Sequence, residues 1–507
     1  MKNYLKYTKD DVRSGLVVSL VAIPLCLGIS LASGAPLLSG LIAGIIGGLV
    51  VGSMSNSHIS VSGPAAGLAV IVYNGIQEVG DFNVFLMAVT LAGVIQIGLG
   101  AIKAGILSDF IPNSVIKGML AAIGILIAWK QLPYVFGTNA AENTQTVMGM
   151  TYQSGAAIIG FISLAFMITV QKTKLGSLKI FKVVPAVLFV VVIATLVSDL
   201  FLGLDKSLLV NIGDIKGPRD FAASLTMPNW ASISNPTVWK LAFVIAIVAS
   251  IETLLCIEAS DKLDPQKRET STNRELFAQG AGNILSGLIG GLPITSVVVR
   301  STVNASSGGK TKMAAVYHGA FLLFSVMAIP MILNKVPLAV LAVILVMTGF
   351  KLNPISLYQD MFKKGHQQFV PFMATIIGVV ATDLLSGVVI GMAVSAFMVL
   401  KENYIVQNQS IRSDLSTASK DDIITIALAE HNSFLTRGVL KQLLNSVEDG
   451  KQIVITSHRT ISIDHDVLEV IDQFVIEAKV KNINIKLEGP HFKFDEENKL
   501  RLVPKVA

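Results

Sequence analysis

The sequence predicts an α-helical polytopic membrane protein followed by a small α/β domain, and three observations lead to that fold class. Of its 507 residues, 52% are hydrophobic and 15% charged, with a mean hydropathy of +0.65. A soluble domain of this length does not need so much apolar surface, whereas a polytopic membrane protein does. Most apolar residues fall in runs long enough to cross a bilayer as a helix, which takes about 20 residues. After Lys401 the composition turns polar, and strand and helix patterns then alternate.

The runs read as about fourteen membrane segments, near 15–33, 37–54, 63–77, 83–101, 113–131, 153–171, 183–203, 238–258, 273–289, 295–306, 313–333, 335–350, 367–383 and 385–402. The ninth and tenth are the weakest by hydropathy. Basic residues test the count. They follow the even segments at Lys103, at Lys172, Lys174, Lys179 and Lys182, at Lys262, Lys267, Arg268 and Arg274, at Lys310 and Lys312, and at Lys351, Lys363 and Lys364. The N-terminal tail adds Lys2, Lys6, Lys9 and Arg13, and the loop after the fifth segment has no basic residue. With both termini cytoplasmic the positive-inside rule holds throughout, and an odd count would break it. No cleavable signal is evident. The apolar run from Leu16 flows into further spans, as in an inner-membrane protein whose first helix is its own signal. The pI near 9.1 fits basic loops held against anionic lipid rather than nucleic-acid binding. Cys26 and Cys256 both lie in apolar runs, which argues against a disulfide framework.

Two segments are too short to span. SVSGPAAGLAVIV from Ser60 and GGLPITSVVVRSTVN from Gly290 each place a Gly/Pro break before about ten apolar residues. Irregular backbone at membrane depth persists only inside protein or beside a water-filled cavity. A helix that starts there turns free N–H groups and its positive dipole end toward the cavity, which suits a small anion. Ser62, Ala65 and Ala66 start one such half-helix, and Ser296, Val297 and Val298 start the other. Their small residues let a ligand approach main-chain donors. Small residues also serve plain helix packing, but a break in each half is the mark of a secondary transporter.

Charged residues inside spans are the remaining candidates. Glu252 lies mid-segment and must be paired, protonated or hydrated there; it reads either as a coupling site for a proton or cation or as half of a static ion pair. Arg300 in the tenth segment either serves the anion directly or pairs with Glu252. Glu258, nearer the cytoplasm, reads as interfacial, and Asp383 as a cap in the loop between the last two segments. The seven histidines form no metal-ligand pattern and no Walker motif occurs. Neither a metal enzyme nor an ATP-driven pump is expected, and no cofactor is implied.

Beyond a polar linker at 404–422, the tail 423–507 reads strand, helix, strand, helix, strand: IITIALAE, FLTRGVLKQLLNSVEDG, KQIVITS, HDVLEVIDQFVIEAKVKN and INIKLEG. The membrane part is then 1–403.

Four motifs together resemble the SulP family of anion transporters: SGPAAG at 62–67, FIPNSVIKGMLAAIGILI at 110–127, the stretch SIETLLCIEASDKLD with NRELFAQGAGNILSGLIGGLPITSVVVRSTVNASSGGKT, and ATDLLSGVVIG at 381–391. The resemblance implies a seven-plus-seven inverted repeat, a core domain moving against a gate domain, and a STAS-like cytoplasmic tail. It also implies a secondary transporter of small inorganic anions, with bicarbonate and sulfate leading. Partners would be that anion, membrane lipid and a second copy of the chain. The sequence departs from the family at several positions. Leu25 follows Pro24 where many members carry Gln. Cys256 and Val298 stand where sodium-coupled members carry hydroxyl ligands beside the acid at Glu252. Sulfur and apolar side chains are poor ligands for a hard cation, so proton coupling or exchange is expected ahead of sodium symport. His465 follows Asp464 where a phospho-switch would carry Ser or Thr. The rival readings are a dicarboxylate or nucleobase carrier on the same fold, and a membrane sensor signalling through the tail.

Overall fold

The computed structural model describes residues 6–106, 111–137, 145–147, 150–152, 154–172, 186–415, 423–490, 492–494 and 500–501. Two compact units result, Met1–Met392 and Ala393–Ala507.

The first unit is helical because most of its runs are apolar on every face, and lipid leaves the backbone no hydrogen-bond partner outside its own helix. In chain order come α1 (Thr8–Ala32), α2 (Leu37–Ile46, continued through a wide turn at Gly47–Val51 to Met54), strand β1 (Ser62–Pro64), a tight turn at Ala66–Leu68, and α3 (Ala69–Val79). Then follow α4 (Phe82–Ala101), α5 (Asn113–Val135), α6 (Ser154–Lys172), α7 (Ala186–Val197, extended by a wide turn to Leu202), α8 (Pro236–Leu263) and α9 (Thr272–Leu288). Strand β2 (Ile294–Ser296) leads into α10 (Val298–Ser306), α11 (Met313–Ala328), α12 (Leu338–Leu352), α13 (His366–Ala381) and α14 (Leu384–Leu415), whose residues after Met392 belong to the second unit. Among the described residues, seven helices or helix pairs are long and apolar enough to cross a membrane, and four shorter ones are apolar.

Small residues set how closely the helices pack. A Cβ on Gly93 of α4 would lie 2.5 Å from the Gly280 carbonyl of α9, and one on Gly280 2.7 Å from the Gly93 carbonyl. Gly124 of α5 and Gly349 of α12 face each other the same way: a Cβ on either would lie 2.5 Å from the other's carbonyl oxygen. Backbone-to-backbone approach of this kind replaces the hydrophobic drive that lipid removes.

Helix ends differ from the expected spans where polar residues continue a helix past the apolar run. α8 reaches Leu263 rather than 258, and α14 reaches Leu415 rather than 402. Residues 404–415, expected as linker, are therefore helical; the run holds neither Gly nor Pro to stop the helix. Residues 416–422 of the expected linker lie outside the described residues.

The second unit carries a parallel three-stranded sheet in the order β3 (Ile423–Ala427), β4 (Gln452–Thr456), β5 (Asn484–Glu488), with Ile424 opposite Ile453 and Ile453 opposite Ile485. Helices α15 (Arg437–Asn445) and α16 (His465–Val480) connect the strands. Ile426, Ile453, Ile455, Leu440, Val467 and Ile471 form its core. Alternating strand and helix in this order force parallel pairing.

Candidate functional site

The site begins with the two broken segments meeting. β1 and β2 pair antiparallel, Ser62 opposite Ser296, Gly63 opposite Thr295 and Pro64 opposite Ile294. The Val297 N–H extends the ladder to the Val61 carbonyl at 2.9 Å. Helices that follow antiparallel strands leave in opposite directions, so α3 and α10 diverge from one crossing point. Neither the Ala66–Leu68 turn that leads into α3, preceded by Ala65, nor α10, preceded by Val297, has a side-chain cap, which leaves first-turn N–H groups to be satisfied by something else.

Such a short ladder cannot satisfy its own backbone, and buried polar side chains complete it. Asn283 of α9 acts as a surrogate strand, accepting from the Ile294 N–H at 2.6 Å and donating to the Ile294 carbonyl at 3.0 Å. Its amide also donates to Gln96 of α4 at 2.6 Å. Thr253 of α8 accepts from the Ser296 N–H at 3.3 Å, and Ser301 from the Val61 N–H at 3.0 Å. Gln279 donates to Ser62 Oγ at 2.7 Å and to Glu275 at 3.0 Å. Ser60 and Ser296 share a hydroxyl hydrogen bond. Asn304 donates to the Ile59 carbonyl at 2.8 Å and accepts from Ser14 of α1 at 2.7 Å. Each of these residues positions the crossing backbone, as buried main chain requires.

One face of α8 reaches both half-helix starts. Glu252 lies against Gly67, where a Cβ would come within 2.6 Å of Oε1. Its Oε2 is buried with no hydrogen-bond partner. Cys256, one turn along, lies near the Val298 backbone N–H. Val298 and Val299 themselves are over a third exposed, so the start of α10 is open.

Arg300 is placed elsewhere. Two residues beyond Val298 is about 200° around a helix, and the guanidinium turns toward α1, where Nη2 donates to Cys26 Sγ at 3.3 Å. Arg300 is fully buried, packs on Gly63 and Gly44, and lies within electrostatic reach of His318. Its Nε and Nη1 have no hydrogen-bond partner. Among the described residues it makes no ion pair with Glu252, so the alternative of an Arg300–Glu252 staple is corrected: the two side chains leave their helices toward different neighbours.

Glu258 pairs with Lys262 at 2.6 Å, both exposed. Asp383 accepts from the Ser386 hydroxyl at 2.6 Å and its N–H at 3.0 Å, capping α14. Burial raises the Asp383 pKa, but these bonds outweigh it and hold the carboxyl below its ordinary range. Sequence reasoning missed Thr253, Gln279, Asn283 and Asn304. Gln96, Gln279 and Asn283 were detectable as amides in otherwise apolar or small-residue helices.

A helical membrane protein whose broken segments cross and start two uncapped half-helices belongs to the class of carriers built on discontinuous helices. Residues 8–375 match the Sulfate permease family, and the chain belongs to that family. YvdB of Bacillus subtilis, named as a candidate sulfate transporter, is 27% identical over 404 residues, covering 77% of this chain and 73% of its own. The bicarbonate transporter BicA of a Picosynechococcus strain is 24% identical over 452 residues, 86% of this chain and 75% of its own. Among solved structures, the murine Slc26a9 anion transporter in its inward-facing state has the same fold, with a TM-score of 0.74 at 17% identity over 94% of this chain and 85% of that one.

Proposed function

We propose that the chain is a secondary active transporter of a small inorganic anion, bicarbonate or sulfate, with the anion held between the starts of α3 and α10. The observation that carries this reading is the Ser62–Ser296 crossing, which turns two uncapped helix starts toward the same α8 face. Two positive dipole ends suit a small anion, and BicA and YvdB give the substrate class by family relationship.

On this reading the chain has fourteen membrane segments in two inverted repeats of seven. Two pairings support the repeat. β1 meets β2, and α5 meets α12 at Gly124 and Gly349, so equivalent elements of the two halves touch. The core segments would move against the gate segments to expose the anion alternately to each face, with both termini cytoplasmic at an inner membrane. The tail would be a STAS-like domain that tunes rate or supports a homodimer. Glu252 is the candidate coupling group. With Cys256 and Val298 offering no oxygen side chain, a proton or simple exchange is favoured over sodium.

Uptake of labelled bicarbonate and of labelled sulfate into proteoliposomes, with sodium or choline outside, tests this function. Saturable flux of either anion supports it. A folded protein that carries neither would leave the sensor reading standing.

A further inference from the structure

A cavity of about 440 Å³ runs from Gly67 at the start of α3 along Ile71 and Asn74 to Glu78, with α5, α8 and the α13–α14 turn as its other walls. It therefore joins the proposed anion site to the end of the membrane unit where α3 finishes. Four charged side chains line it: Lys130, Lys240, Glu78 and Asp383. They are unevenly compensated. Lys240 pairs with Glu78 at 3.0 Å and acts electrostatically on Asp383, which is also bonded to Ser386. Lys130 has no carboxylate partner among the described residues. Its ammonium makes one long hydrogen bond to Asn74 Oδ1, at 3.4 Å, and stands 4.4 Å from the centre of the Tyr73 ring.

We infer that Lys130 and Asn74 form a docking site for the incoming oxyanion on the wall of this cavity, ahead of the central site. The inference rests on the transport reading and adds a residue pair that the helix breaks do not predict. An ammonium has three donors; here one reaches a neutral amide and one faces an aromatic ring, so one remains for a ligand. The Asn74 side chain supplies an N–H₂ donor beside it. A small oxyanion, bicarbonate or sulfate, has the acceptors to bridge both. The four charges of the lining sum to zero, so the attraction of an anion is local to the Lys130 ammonium, and salt screens it. Lys130 sits on α5 while Asn74 and Tyr73 sit on α3, so the dock is shared by two helices.

The test compares wild type, Lys130→Gln, Lys130→Arg and Asn74→Ala in proteoliposomes, with labelled sulfate and labelled bicarbonate as probes and initial rates taken from each face. Ionic strength is set at about 20 and about 200 mM, on either side of strong screening. Lys130→Gln is expected to raise KM at least about fivefold from one face only at low salt, with maximal rate held within about twofold. At high salt the difference collapses. Lys130→Arg keeps most of the wild-type KM, and Asn74→Ala raises KM without altering the salt slope. Unchanged KM in Lys130→Gln overturns the inference. So does a salt-independent loss of rate that Lys130→Arg fails to rescue, which would make Lys130 a packing residue. Wild type without flux would overturn the transport reading instead. In that case sulfate binding to the solubilised protein still reads the dock: weaker, less salt-sensitive binding by Lys130→Gln supports it, and equal affinity overturns it.

Discussion

The Glu252 carboxyl occupies the space that a side chain on Gly67 would take, with Oε1 2.6 Å from the position of a Cβ there. A mid-span acid is thereby fixed against the start of α3, and Gly67 is required for close approach rather than for backbone freedom. Gly67→Val is expected to displace Glu252 and abolish uptake. Glu252→Asp, which draws the carboxyl back by one methylene, is expected to restore part of the activity in the double variant. Uptake by the four proteins of that cycle measures the coupling. Strict additivity would mean that the two residues do not act on each other.

Asn283→Ala removes both bonds to Ile294 and the one to Gln96. Leaving buried partners unpaired costs about 1–3 kcal/mol each, and relaxation recovers part of it. A destabilisation of about 3 kcal/mol, read as a lower Tm in detergent, should accompany loss of anion binding. A variant of unchanged Tm that still binds the anion would show that α9 does not hold the crossing together.

Arg300 separates a structural from an electrostatic role. Its guanidinium is buried with two unpartnered nitrogens, an arrangement that costs stability rather than adding it. Arg300→Met is therefore expected to hold or raise Tm while uptake falls at least about tenfold, a barrier change of about 1.4 kcal/mol. A staple would behave in the opposite way, because breaking a buried ion pair costs about 3–5 kcal/mol.

The breaks themselves were legible because hydropathy and Gly/Pro content are local properties. Residues 62–67 and 290–298 stand out against full-length spans whatever their neighbours are. The tail's alternation was legible for the same reason, since period 2 and period 3.6 are written along the chain. What the breaks pair with was not. The Ser62–Ser296 register joins residues 234 positions apart, and α8 is apolar nearly all round, so no stripe tells which of its faces turns inward. Arg300 shows the consequence. Its composition and depth left the anion and Glu252 open as partners; its rotation about α10 turns it toward Cys26 and away from Glu252, which leaves the anion.

Coupling is testable through Glu252 alone. Glu252→Gln keeps size and hydrogen-bonding capacity but cannot exchange a proton. If a proton is coupled, an imposed pH gradient that accelerates wild-type uptake should have no effect on the variant, and replacing sodium by choline should leave both unchanged. A strict sodium requirement in the wild type would show that Glu252 and main-chain oxygens suffice for a sodium site without hydroxyls at Cys256 and Val298.

The central claim is that the anion lies between the starts of α3 and α10, and bulk placed at those starts tests it most directly. Ala66→Phe and Val297→Phe are to be purified, checked for wild-type Tm, and assayed for binding and uptake of labelled bicarbonate and sulfate. The account predicts that each folded variant loses both binding and uptake. Normal uptake by both would contradict it and move the anion elsewhere in the fold.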